Sequence, residues 1–127
     1  MSDVSEILEL TQRLLNAIAA GDWETYQQLC HPGLTCFEPE AAGHLVEGLE
    51  FHRFYFNLRE ESPAAQPNTT LASPKVWLLG DDAAVVAYVR LIQRLTPEGP
   101  RTASFQETRI WQRHGDRWLH IHFHRSA

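Results

Sequence analysis

The order of patterns along the chain constrains the fold more than any single residue does: helical periodicity fills the first half and strand-like runs fill the second. Val4, Ile7, Leu8, Thr11, Leu14, Leu15 and Ile18 recur at helical spacing, with Ser2 or Asp3 to cap the start and Gly21 to stop it. Asp22 opens a shorter helix through Trp23, Tyr26 and Leu29, which His31-Pro32-Gly33 ends before a short strand from Leu34 to Phe37. A third helical stretch, dense in Phe51, Phe54, Tyr55 and Phe56, runs from Leu49 to about Arg59, until Ser62-Pro63 and Pro67 break it. Four strand-like runs follow, Asn68 to Leu79, Ala83 to Leu95, Arg101 to Arg113 and Arg117 to His124, separated by turn signals centred on Gly80, Gly99 and Gly115. This order predicts an α+β fold: a cone-like, curved antiparallel sheet packed against a long N-terminal helix and two shorter helices, with a hollow between the layers.

A chain of 127 residues suits one domain over residues 1–127, large enough to bury about two-thirds of its unfolded surface. The formal charge is −5 and the basic residues are scattered singly, which argues against a nucleic-acid partner. The lead-in is acidic, and no apolar run approaches the roughly 20 residues that span a bilayer, so no membrane partner and a cytoplasmic location are expected. Cys30 and Cys36 lack metal-type spacing and read as two reduced thiols. The chain has no G-x-S-x-G, P-loop or G-x-G-x-x-G signature, so hydrolase, nucleotide and dinucleotide functions lack their parts and no cofactor is expected.

Strand parity singles out the charges. On the third long run Glu107 and Arg109 share parity with Phe105 and Trp111, so two charges fall on the apolar side. On the last run Leu119, Ile121 and Phe123 share a face that Arg125 continues, which points His120, His122 and His124 the other way. Arg90 follows Val86 and Tyr88 in a strand that is apolar on both faces. Three arginines aimed at a covered face are costly unless anions pair with them. Parity leaves two outcomes open: a cationic pocket for a small carboxylate, or an internal or intersubunit salt-bridge network. His52 lies on the aromatic helix that roofs the hollow, as a satisfied core or rim residue or as a secondary ligand contact. The His120-x-His122-x-His124 run has no second ligand cluster beside it, and His31, His44 and His114 fall in loops, so no metal is required. An enzyme of isomerase or dehydratase type, with Glu107, Tyr55 or His52 as base, is the alternative that the hollow allows.

The stretch Thr35-Cys36-Phe37-Glu38-Pro39-Glu40-Ala41, with Leu45-Val46-Glu47-Gly48 and Phe51-His52-Arg53-Phe54-Tyr55-Phe56, resembles the association (hub) domain of calcium/calmodulin-dependent protein kinase II. Glu107-Thr108-Arg109-Ile110-Trp111 and His122-Phe123-His124-Arg125 extend the resemblance to the C-terminal end. It implies a nuclear transport factor 2-like (cystatin-like) cone without a kinase attached, and subunits that pair and close into rings of about twelve or fourteen. It also implies a pocket for small carboxylates such as hydroxybutyrate analogues, formed here by His52, Arg90, Arg109 and Arg125, with Glu107 and Tyr55 beside them. One departure falls after the aromatic helix, where the family's tryptophan is replaced by Glu60-Glu61-Ser62.

Overall fold

The computed structural model describes residues 2–61 and 66–126, so the break expected at Ser62-Pro63 lies outside the described residues. Helix α1 spans Asp3–Ala20. Ser2 caps it by accepting from the Ser5 backbone N–H at 3.1 Å, and Gly21 ends it in the left-handed conformation at φ 69°, where a side chain would be strained. Ile7, Thr11, Leu14 and Leu15 form the buried stripe of this helix. Helix α2, Trp23–Leu29, is capped by Asp22, whose Oδ1 accepts from the Thr25 N–H at 3.1 Å. Strand β1 (Cys30–Phe37) follows directly, then a 3-10 turn at Pro39–Ala41, the two-residue strand β2 (Val46–Glu47) and helix α3 (Glu50–Glu61). His31, expected in a loop, therefore lies inside β1.

The second half forms β3 (Asn68–Leu78), β4 (Ala83–Thr96), β5 (Gly99–His114) and β6 (Arg117–Arg125), which puts His114 at a strand end rather than in a loop. These four make the expected antiparallel meander, and the six strands order as β2-β1-β6-β5-β4-β3. Among the described residues the one parallel pairing is β1 with β6. Register shifts interrupt β1–β6, β3–β4 and β5–β6; at such bulges a strand bends and twists more strongly, which curves the sheet around its helices.

The bulge in β5–β6 changes what parity assigned. Ile110 pairs with His122 but Trp111 pairs with His120, so Ile121 is the extra residue and the facing of β6 reverses there. Before the bulge Trp118 and His120 are buried; after it Phe123 is. The three histidines thus do not share a face: His120 is fully buried in the core while His124 is exposed. Leu119, expected inside, is only half-buried. β4 alternates as expected, with Ala84, Val86, Tyr88, Arg90 and Ile92 facing the helices and Val85, Ala87, Val89 and Leu91 half-buried on the outer face.

Candidate functional site

A cavity of about 230 Å³ opens between the sheet and helices α1 to α3. Its wall brings together His52, Tyr55, Arg90, Arg109 and Arg125, five of the six side chains singled out from the sequence. Glu107 lies behind this wall, 2% exposed, and serves as the anchor of the arginines. It accepts from Arg90 Nη1 and Arg109 Nη2, each at 3.1 Å, and from the Tyr88 hydroxyl at 2.5 Å. Burial alone would raise its carboxyl, but Arg109 and Arg90 outweigh that and hold it below the ordinary value. With both oxygens occupied and no cavity surface, Glu107 has no route to a substrate proton, which removes it from the bases considered for an enzyme.

Arg109 is 1% exposed and held from every side. Its Nε donates to Tyr88 at 2.8 Å, its guanidinium carbon sits 4.3 Å from the centre of the Phe123 ring, and its Nη1 lies 3.3 Å from His120 Nε2. An arginine only donates, so His120 Nε2 must accept and its proton resides on Nδ1, which faces Cys30 Sγ at 3.5 Å. Burial, then the neighbouring Arg109, keeps His120 neutral. Sequence parity missed this residue because the bulge hides it.

The open end of the cavity is built differently. Arg125 is gripped by the Glu40 carboxylate, and its guanidinium lies 5.1 Å from the Phe105 ring. Glu38, from the turn after β1, and His52, from the first turn of α3, meet with Oε1 3.7 Å from Nδ1. The other ring nitrogen, Nε2, is 3.7 Å from Cys36 Sγ. Burial first, and then Arg109, pushes His52 down to about 4. Burial, then Glu40, raises Glu38 above its ordinary value. Burial likewise pushes the Cys36 thiol up to about 12. Glu38, Glu40, Tyr26 and Arg94 also line the cavity and were not anticipated as site residues. Arg94 was legible, since it continues the Tyr88, Arg90, Ile92 parity; the two glutamates follow the strand in a turn, where no periodicity places them. The Nε–H groups of Arg90 and Arg125 are buried without a hydrogen-bond partner among the described residues.

A capped long helix and two shorter ones over a curved sheet, enclosing a charged cavity, define a nuclear transport factor 2-like α+β cone. That fold is shared with an NTF2-like protein from Cytophaga hutchinsonii, at 22% identity and a TM-score of 0.79, covering 100% of this chain and 99% of that one. The chain belongs to the calcium/calmodulin dependent protein kinase II association domain family, which it matches over residues 3–127. It is 48% identical to the CaMKII hub homology domain of C. reinhardtii, with a TM-score of 0.91 and coverage of 98% of both chains. It is 46% identical to the association domain of C. elegans CaMKII, with a TM-score of 0.87 and coverage of 97% of this chain and 94% of that one.

Proposed function

We propose that this chain is a self-associating domain whose subunits pair and close into a ring of about twelve or fourteen, and whose cavity receives a small carboxylate. The end-to-end match to association and hub domains carries the first half of this reading. Exposed apolar side chains at and just beyond the end of β3, with Trp77 51%, Leu78 42% and Leu79 56% exposed, support it as surface that another subunit can cover. Two free, buried thiols suit a reducing, cytoplasmic setting.

The orphaned Nε–H groups of Arg90 and Arg125 support the carboxylate. A buried donor without an acceptor costs about 1–3 kcal/mol, which a carboxylate oxygen relieves once the guanidinium turns its Nε–H toward the cavity. Arg90 and Arg109 are pre-oriented by Glu107, so little side-chain entropy is lost on binding. Arg125 instead exchanges Glu40 for the ligand, its guanidinium donating to the carboxylate of either.

Titration of the assembled protein with hydroxybutyrate in a calorimeter tests the pocket. Saturable binding near one ligand per subunit is expected, weakened about tenfold or more in Arg125→Ala, since a charge-assisted hydrogen bond contributes about 1.5–3 kcal/mol. Equal affinity in wild type and Arg125→Ala contradicts the pocket reading.

A further inference from the structure

Cys36, Glu38 and His52 bring a thiol, a carboxylate and an imidazole together beside the cavity, one donor atom from each within 4.8 Å of the others. Among the described residues this set stands apart from the loop and surface histidines, because Cys36 is 0% and His52 6% exposed. Its three members come from different pieces of chain: Cys36 from the inner face of β1, Glu38 two residues on with the same facing, and His52 from α3. We propose that these three side chains form a binding site for a borderline-soft divalent cation of the zinc type, with its fourth coordination position open to the cavity.

The distances fit that chemistry. In a tetrahedral zinc site, metal bonds of about 2.3 Å to sulfur and 2.0–2.2 Å to nitrogen or oxygen place neighbouring donors about 3.3–3.7 Å apart. Cys36 Sγ and His52 Nε2 are already 3.7 Å apart, whereas Glu38 Oε1 lies 3.7 Å from Nδ1 on the other edge of the ring and is the ligand that has to move round to Nε2. All three donors lie within 4.8 Å of one another, so a pair at that limit closes to tetrahedral spacing with a side-chain movement of about 1–1.5 Å. A mixed sulfur, nitrogen and oxygen set selects zinc-type cations over magnesium or calcium, which take oxygen alone. Three protein ligands with a fourth side facing a cavity is the arrangement of a site that exchanges a water for a ligand atom. Both Glu38 and His52 line the cavity, so that side is accessible.

The surrounding charge makes the ion depend on an anion. Arg90, Arg94, Arg109 and Arg125 are faced by Glu38, Glu40 and Glu107, one negative charge fewer. A divalent ion bound with Cys36 as thiolate, its proton passing to buffer, adds one net positive charge, which a monocarboxylate in the cavity neutralises. Metal and carboxylate should therefore strengthen each other's binding to the same degree.

The test uses the purified full chain, stripped with chelator and titrated with Co²⁺ in place of Zn²⁺. One equivalent per subunit is expected, with a near-ultraviolet thiolate-to-cobalt charge-transfer band and the visible absorption of a tetrahedral site, both erased by Zn²⁺. Cys36→Ser should abolish the band and Cys30→Ser should leave it. Glu38→Gln should weaken binding by at least the roughly tenfold lost when even an outer-shell partner of a metal site is removed. Cobalt binding without a charge-transfer band, at other histidines such as the His31–His114 pair with ring centres 5.4 Å apart, overturns the proposal. So does a band that survives Cys36→Ser, or no binding at all.

Discussion

The two faces of the β4–β5 pair reverse the usual arrangement of a sheet with one side packed and one side wet. The inner face, beneath the helices, holds Tyr88, Arg90, Glu107 and Arg109, a charged layer almost entirely out of solvent. On the outer face, the side of the sheet away from the buried Ala84–Ile92 row, Val85, Ala87, Val89 and Leu91 remain half-buried. In an isolated subunit both choices are costly, the first in desolvation and the second in exposed apolar surface. Under the proposed function each becomes favourable with a partner: an anion for the inner face, another subunit for the outer one. The difference separates a layer built to position charge from a layer built to be covered.

The strongest way to break this contrast is at the inner anchor. Arg109→Ala leaves Glu107 buried with one ion-pair partner fewer, and loss of one member of a buried pair destabilises by about 3–5 kcal/mol, read as a lower urea midpoint. A midpoint within error of wild type would mean that water reaches this layer freely. Arg125→Ala, at the more accessible end, should leave the midpoint nearly unchanged while carboxylate affinity falls, which separates anchoring from ligand contact. On the outer face Val89→Lys should reduce the assembled mass while leaving the helical circular-dichroism signal of the subunit intact, because a lysine there tolerates water but not a covering subunit.

The smallest effect is in pH. Glu107 is held below its ordinary value of 4.5 against its own desolvation by Arg109 and Arg90, with Tyr88 donating to it and Arg125 opposite it on β6. A depressed folded-state value means the unfolded chain binds the proton more readily, so its stabilising contribution is full above about pH 4.5 and is lost as pH falls through the folded-state value. Glu107→Gln should flatten the acid limb of a plot of urea midpoint against pH; an unchanged limb would assign acid sensitivity to other carboxylates.

The inner face was legible in the sequence wherever a strand stays regular. β4 and β5 alternate without interruption through this layer, so Arg90, Glu107 and Arg109 were placed by counting in twos. Arg125 was also placed correctly, since it was counted from Phe123 on the same side of the β6 bulge. His120 was not, because an extra residue at Ile121 reverses the count and leaves no mark in a run where polar and apolar residues simply alternate. Glu38 and Glu40 escaped for a different reason: they sit in a turn closed by local hydrogen bonds, Ala41 N–H to Glu38 O at 3.0 Å and Ala42 N–H to Pro39 O at 3.1 Å, so tertiary packing alone aims them at the cavity. Fold order, caps and core stripe are local properties and could be read in advance; the composition of the cavity rim depends on where loops come to rest.

The mass of the native assembly in solution, by native mass spectrometry or multi-angle light scattering, tests the central claim most directly. A closed species of about twelve or fourteen subunits, dissociating through pairs, is the predicted result. A monomer, or a simple dimer that grows no further at high concentration, would contradict it.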